Sequence, residues 1–181
     1  DLRLAFATAL TSVGETGRAE QVLWTLAKDQ PTCEEAYLAL FRRVAPALPV
    51  FAAVPTTRAD GGVHASVVNA GVLDDPITAR PVVGFVVAGS TLKLRLLRRS
   101  GRATVVFRAG WEWVAVEGAV RLIGPDDAAE GFSSDRLPQL LGDVFKAAGG
   151  AHEDWAEFDR VMAAERRAAV LVEPARITSN A

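Results

Sequence analysis

Residues 81–108 read PVVGFVVAGSTLKLRLLRRSGRATVVFR and predict a strand, a short helix and a second strand in succession. The apolar run 81–88 is rich in β-branched residues, which is typical of a strand. Gly89, Ser90 and Thr91 lead into a helical stretch over 92–99, and the β pattern returns over 102–108. The sequence therefore places only one short helix between these two strands.

Further strands flank this segment on both sides. On the N-terminal side, the β-type runs 50–57 and 63–73 are separated by a turn signal with Asp-Gly at its centre. On the C-terminal side, residues 111–123 are predicted to form a hairpin with the strand over 102–108. The later predicted elements are helices over 135–148 and 153–166 and a last strand over 168–174. About six strands with short turns predict a mainly β fold, a closed or partly open barrel, rather than a parallel α/β sheet.

The first part of the chain is predicted to be helical. Apolar residues recur at helical spacing over 2–10 and again over 19–26, and a capping box at 32–35 opens a third helix. Composition changes to the β type after that helix. The sequence therefore predicts an N-terminal helical extension over 1–48 and a barrel domain over 49–181.

Composition excludes several classes of protein. The 181 residues are 50% hydrophobic with a net charge of −2, which suits one domain with a sizeable core and gives no general affinity for nucleic acid. Cys33 is the only cysteine, so no internal disulfide forms, and a cytoplasmic location is expected. No apolar run reaches the roughly 18 residues that span a membrane. The two histidines lack metal-ligand spacing, and no nucleophile elbow, Walker loop or Rossmann fingerprint is present.

The short helix carries the sharpest local signal. Arg95, Arg98 and Arg99 share one face at 100° per residue, whereas Lys93 lies among the leucines. A lysine on the apolar side of a helix is costly unless an anion meets it, and a helix's first turn attracts anions. Two hydroxyl residues come just before it, Ser90 and Thr91. These residues indicate a phosphate site; the alternative is that Lys93 extends its amine to water and the arginines form a solvated face.

Two strands carry a second signal. On the strand over 111–123, Trp111 and Trp113 share a face with small residues and a carboxylate, which suggests a subunit interface or a ligand wall. The alternative is ordinary packing against the N-terminal helices. On the strand over 63–73, small and polar residues surround Gly71 and would let a flat ring approach the backbone. The alternative there is a sheet edge.

Together these segments resemble the pyridoxamine-phosphate-oxidase-like split-barrel superfamily, and within it the actinobacterial deazaflavin-dependent branch. The residues that carry the resemblance are TRADGG at 57–62, KLRLLRRSGR at 93–102, WVAVEG at 113–118, HEDW at 152–155 and ERRA at 165–168. The resemblance covers about residues 50–180. Two positions depart from it. Leu96 stands where the branch often has Asn, and Pro55 interrupts the first strand, which predicts an edge or a bulge there.

The resemblance implies a split β-barrel homodimer with a cofactor lying across the dimer interface. By match, Lys93 takes the cofactor's phosphate, the arginines of the short helix meet an acidic tail, and residues 66–69 line the ring. The predicted cofactor-binding residues are Ser66, Val67, Val68, Asn69, Ser90, Thr91, Lys93, Arg95, Arg98, Arg99 and Trp111. No catalytic side chain and no metal ligand is predicted, because the redox chemistry is the cofactor's own.

The predicted cofactor is coenzyme F420, a deazaflavin with a phosphate and a polyglutamate tail. Several cations in and after one short helix suit this polyanion better than FMN, which needs mainly a phosphate clamp. The predicted function is an F420H2-dependent oxidoreductase that transfers hydride to a small-molecule substrate. The alternatives are an FMN-binding flavoprotein of the same superfamily and a non-catalytic F420 carrier. Nucleic-acid binding through residues 93–102 is disfavoured, because the patch is short and lacks interleaved aromatics.

Overall fold

The structure, a computed structural model, describes residues 7, 16–29, 51–109 and 111–180. The chain divides into two compact units, Asp1–Ala47 and Leu48–Ala181. In the first unit, helix α1 spans Thr16–Asp29, as the second apolar stripe predicted. Only Ala7 of the first predicted helix is described, and the third predicted helix lies outside the described residues.

The second unit is a six-stranded antiparallel barrel. Its strands are β1 (Phe51–Thr57), β2 (Val63–Asp74), β3 (Pro81–Val87), β4 (Arg102–Ala109), β5 (Glu112–Ile123) and β6 (Ala168–Ser179). They close in the order β1-β2-β3-β6-β5-β4. Three helices accompany them, α2 (Leu92–Ser100), α3 (Leu137–Ala147, after a 3₁₀ turn at Ser134–Arg136) and α4 (Trp155–Ala164). The predicted barrel is therefore confirmed, with its single short helix between β3 and β4 and its helical pair before β6.

The barrel is weakly closed at one seam. Strands β1 and β4 pair only where Ala52 and Ala53 meet Phe107 and Val106. Pro55 lies beyond this pairing and has a partner only on β2, so its missing N–H removes no bond to β4. The sequence predicted an edge or a bulge at Pro55; β1 lies between β2 and β4 in the closed barrel, but Pro55 itself has no partner on β4. A cleft of about 180 Å³ opens here, lined by Pro55, Thr56, Thr57, Ser100, Arg102, Ala103, Thr104 and Glu117.

Strand β6 is longer than the sequence predicted. We expected it to end at Pro174, whereas it continues to Ser179. The pairing of β5 with β6 shifts register between Glu117 and Gly118, and Gly118 lies opposite Pro174. A side chain at Gly118 would collide, because its Cβ would lie 1.6 Å from the carbonyl oxygen of Glu173. The irregularity lets the strand pass through a proline that cannot donate a ladder hydrogen bond.

Strand burial shows which side of the barrel is covered. Nearly every residue of β3 and of the first half of β6 is buried, whereas exposed and buried residues alternate along β1. Because successive side chains point to opposite faces, β3 and β6 are covered on both faces and β1 on one. The outer cover is a core cluster that joins these strands to α3 and α4. Its buried members are Val82, Ile123, Leu140, Leu141, Val144, Phe158, Met162, Ala169 and Leu171.

We propose that the barrel folds without the N-terminal unit, as the predicted boundary at residue 48 implies. All six strands and both helices of the outer core cluster follow that boundary. A chain lacking residues 1–47 should keep a β-rich circular dichroism spectrum and a cooperative thermal transition. A truncated chain with native-like solubility but no cooperative transition would show that the first 47 residues belong to the barrel's folding unit.

Candidate functional site

Helix α2 is fixed at both ends by capping residues. At its start, the Oγ1 of Thr91 accepts a hydrogen bond from the N–H of Leu94 (3.3 Å) and donates one to the carbonyl of Ala88 (2.9 Å). At its end, Gly101 adopts φ 61° and its N–H donates to the carbonyl of Leu97. The hydroxyl hydrogen of Thr91 is therefore used within the fold, although the sequence placed this residue at a phosphate. The hydroxyl of Ser90 is in an exposed residue.

Lys93 lies in the first turn of α2 and is partly buried. Its Nζ lies 5.9 Å from the centroid of the Phe85 ring, and it has no hydrogen-bond or ion-pair partner among the described residues. Burial lowers the pKa of Lys93 from its usual value. A cation–π contact of this kind contributes about 0.5–1 kcal/mol. This is less than the free energy that the charged amine loses when burial removes its hydrating water. The amine is thus available to an anion.

The first turn of α2, which carries Lys93, also has free backbone donors. The N–H groups of Leu92 and Lys93 have no acceptor within the described part of the chain, as expected for the first turn of a helix. Two free N–H groups, the positive end of the helix dipole and an unpaired ammonium are the features that bind phosphate at helix N-termini. Lys93 and these donors belong to the same first turn of α2. That they bind a phosphate together stays a prediction.

The three arginines of α2 are exposed but not equivalent. Arg98 makes a two-point ion pair with Asp127, with Nε–Oδ1 and Nη2–Oδ2 distances of 2.7 Å. The hydrogen bonds that Arg98 donates to this carboxylate raise the pKa of its guanidinium. Arg99 donates from Nη2 to the carbonyl of Thr57 at 2.8 Å. Of the three, only Arg95 has a side chain without a partner among the described residues. Helical spacing predicted their common face but gave no sign of Asp127.

The four residues predicted to line a ring are divided between the two faces of β2. Val67 is 68% exposed and Asn69 is also exposed, whereas Val68 is buried. The Oγ of Ser66 is buried and has no hydrogen-bond partner within the described residues. A flat group lying on the outer face would therefore touch the side chains of Val67 and Asn69 and only the backbone of Ser66 and Val68.

The outer surface of β1 and β2 is an exposed apolar patch, which we call the open face: Phe51, Ala53, Val63, Ala65 and Val67. Phe51 is 68% exposed and Val63 is 62% exposed. The register places Ala53 directly opposite Val67, and Ala65 opposite Pro55. Contiguous apolar surface of this kind is typical of a protein interface or a ligand-binding wall.

The two tryptophans of the β4–β5 hairpin are both exposed, Trp111 by 89% and Trp113 by 38%. Asn180 holds the hairpin end, since its Nδ2 donates to the carbonyl of Trp111 and its Oδ1 accepts from the N–H of Trp113. No described contact connects the Trp111 side chain with α2. Ala115, expected on the same exposed face, is buried.

The described residues contain neither a metal-binding cluster nor a membrane-spanning helix. No cluster of three or more His, Cys, Asp or Glu side chains there could hold a metal ion. Within the same part of the chain, no helix has the length and apolar character needed to cross a bilayer.

Comparison with known proteins identifies the fold. No family model matches the chain, and no curated protein sequence matches it. Among solved structures, the protein Atu2129 of unknown function from Agrobacterium tumefaciens strain C58 superposes with a TM-score of 0.52 at 16% identity. The match covers 74% of this chain and 51% of that one, so this chain spans about half the length of that protein.

Two other similar structures are named for a cofactor. One is a pyridoxamine 5'-phosphate oxidase-related, FMN-binding protein from Nostoc punctiforme, with 14% identity, a TM-score of 0.48, and coverage of 72% of this chain and 74% of that one. The other is an F420 reductase, with 14% identity, a TM-score of 0.49, and coverage of 72% and 90%. At these identities the similarity concerns the fold alone. The predicted fold, a split β-barrel of about six antiparallel strands, is confirmed.

Proposed function

We propose that the chain binds the phosphate of a deazaflavin cofactor, coenzyme F420, through Lys93 and uses it to reduce a small organic acceptor. The single observation that carries this proposal is the state of Lys93: a partly buried ammonium in the first turn of a capped helix, with no carboxylate partner among the described residues. A buried cation without a counter-ion is costly in the free protein. A phosphate at this position would remove that cost.

The open face supplies a wall for the cofactor's ring. Small side chains, such as Ala53 and Ala65, leave the backbone of β1 and β2 accessible beside Val67. An aromatic ring lying there would stabilise the complex by about 25 cal/mol for each Å² of apolar surface that it buries. The buried, unpartnered hydroxyl of Ser66 belongs to the opposite face of β2 and is therefore not part of this wall.

The residues present fit the phosphate better than the acidic tail. Lys93 and the N–H groups of α2 are free, but Arg98 is neutralised by Asp127 and Arg99 is bonded to a carbonyl. This reduces the number of cations that the sequence assigned to a polyglutamate tail. The ion pair of Arg98 is therefore the observation that favours the second candidate, an FMN-binding protein with the same phosphate clamp.

The cofactor, when bound, supplies hydride transfer. The protein's own residues would bind and orient it: Lys93 holds the phosphate, the open face fixes the plane of the ring, and a second subunit on that face excludes water. No side chain is assigned a proton-transfer step.

Turnover separates an enzyme from a carrier. Reduced cofactor should be oxidised in the presence of the protein and at least one acceptor from a panel of quinones, tetrapyrroles and unsaturated ketones. Protein that binds reduced cofactor but accelerates oxidation with none of these acceptors would be a non-catalytic binder.

The proposed cofactor site lies at a homodimer interface formed by the open face. We expect the wild-type 19.2 kDa chain to be dimeric in light scattering at micromolar concentration with cofactor present. Val67→Asp should give a folded monomer, because a carboxylate buried in an apolar interface costs several kcal/mol. Val161→Asp is the matched control, since Val161 is 36% exposed on α4 and lies outside the open face. A wild-type mass near 19 kDa with cofactor present would contradict the shared site.

A further inference from the structure

Two consecutive carboxylates after β5 each bind a different arginine. Asp127 pairs with Arg98 of α2, and Asp126 pairs with Arg166, which follows α4. The side chain of Asp127 is only 10% exposed, whereas that of Asp126 is 44% exposed. Arg98 is therefore bound to the more buried carboxylate, with both of its hydrogen bonds at 2.7 Å.

The turn that presents Asp127 is tightly held. The N–H of Gly124 donates to the carbonyl of Asp127 (3.0 Å), and the N–H of Asp127 donates back to Gly124 (3.1 Å). A Cβ on Gly124 would lie 2.6 Å from the Cβ of Ala168, so the turn is packed against the start of β6. Such a carboxylate cannot easily move away from Arg98, and removing Arg98 from it would leave a nearly buried charge unpaired.

This pairing changes the charge that α2 offers to a ligand. Arg95 lies one turn before Arg98 on the same face and has no partner among the described residues. Lys93 is also unpaired. The helix thus has a free clamp at its N-terminal end and one free guanidinium beyond it, while the charge of Arg98 is cancelled within the fold.

We propose that Asp127 is a specificity-determining residue that makes the affinity of the site independent of the length of an acidic tail beyond the phosphate. By holding Arg98, it removes one guanidinium from those that α2 could offer to the successive carboxylates of a long acidic tail. The inference rests on the proposed function and deepens it: the phosphate and the ring of the cofactor supply its affinity, and a longer acidic tail adds nothing to it.

The test compares Asp127→Asn with Asp126→Asn, which removes the same charge from the neighbouring residue. Dissociation constants are measured by fluorescence titration with F420 carrying a short or a long glutamate tail. Wild type and Asp126→Asn should bind the two forms with similar affinity. Asp127→Asn should bind the long-tailed form about three- to tenfold more tightly, a gain worth an exposed ion pair or somewhat more. The gain should disappear at about 0.5 M salt because surface charges are then screened.

A second pair of variants keeps the inference testable if Asp127→Asn does not fold. Arg95→Gln should weaken binding of the long-tailed form more than the double variant Arg98→Gln/Asp127→Asn does. Only Arg95 is free, and the double variant leaves no unpaired carboxylate. Equal losses in these two variants would overturn the inference. An unchanged tail-length dependence in folded Asp127→Asn, or the same gain in Asp126→Asn, would also overturn it.

A readout without cofactor separates this inference from the proposed function. The Nε–H resonance of Arg98 should shift on addition of a pentaglutamate peptide in Asp127→Asn but not in wild type. If wild type binds neither F420 nor FMN while this difference is observed, the proposed function fails and the role of Asp127 stands. If wild type binds cofactor and the resonance responds equally in both proteins, the role of Asp127 fails and the proposed function stands.

Discussion

Replacing Lys93 by alanine is expected to weaken cofactor binding by about 1.5–3 kcal/mol, the usual contribution of a hydrogen bond to a charged group. This is roughly a ten- to hundredfold increase in the dissociation constant, measured by titration of F420 or FMN. The effect is large because the ammonium is partly buried and has no other anion among the described residues. Replacing Arg95 should cost less, since an exposed ion pair is worth under about 1 kcal/mol.

The matched control for this variant is Lys146→Ala. Lys146 also lies over an aromatic ring, with its Nζ 4.6 Å from the centroid of Trp155, but it belongs to α3 and not to the proposed site. The Lys146→Ala variant should bind cofactor with the same affinity as wild type. If Lys93→Ala binds normally while Arg95→Ala does not, the phosphate lies on the arginine face and the assignment of Lys93 is wrong.

The pH dependence of binding gives the same assignment a signature. In the free protein, burial lowers the pKa of Lys93 below 10.5, the ordinary value for a lysine. The phosphate binds the protonated amine. The affinity of wild type for the cofactor should therefore begin to fall at a lower pH than the one at which an ordinary lysine loses its proton. Lys93→Ala should lose this alkaline decrease.

Gly118→Ala is expected to have the largest effect on stability. The added Cβ would lie 1.6 Å from the carbonyl oxygen of Glu173, and backbone atoms cannot rotate away as a flexible side chain can. Strands β5 and β6 would have to separate at the register shift opposite Pro174. We expect a loss of at least about 3 kcal/mol, the upper end of the usual overpacking penalty. In a thermal melt this lowers Tm by roughly 6–12 °C for a chain of this size.

Gly142→Ala is the control for Gly118→Ala. Its Cβ would lie 3.6 Å from the Trp155 ring, an ordinary contact, and α3 gains a better helix former. Its Tm should equal or exceed that of wild type. A Gly118→Ala protein that melts with wild type would show that the two strands are not in close backbone contact at this position.

The strand pattern of the barrel could be predicted from the sequence because it is local. β-branched runs and turn signals placed all six strands. The proline within β1, Pro55, indicated the part of this strand that is not paired with β4. The end of β6 could not be predicted, because it depends on Gly118 in another strand. That glycine leaves room for the backbone at Pro174, and no property of residues 168–179 alone reveals it.

The candidate site was predicted in part for the same reason. Helical spacing separated Lys93 from the arginines, which is a local property of α2. The pairing of Arg98 with Asp127 joins residues 29 positions apart, so spacing could not reveal it. The division of Ser66 and Val67 between two faces follows from strand alternation and could have been derived from the sequence. The buried, unpartnered hydroxyl of Ser66 required the packed barrel.

The central claim is that Lys93 holds a cofactor phosphate, and a titration of wild type and Lys93→Ala with F420 and with FMN, followed by absorption and fluorescence, tests it most directly. We expect saturable binding of at least one of these cofactors to wild type and an increase of roughly tenfold or more in its dissociation constant in Lys93→Ala. A deazaflavin without the phosphate should bind the two proteins equally. Wild-type protein that binds neither cofactor, or a folded Lys93→Ala protein that binds as tightly as wild type, would contradict the claim.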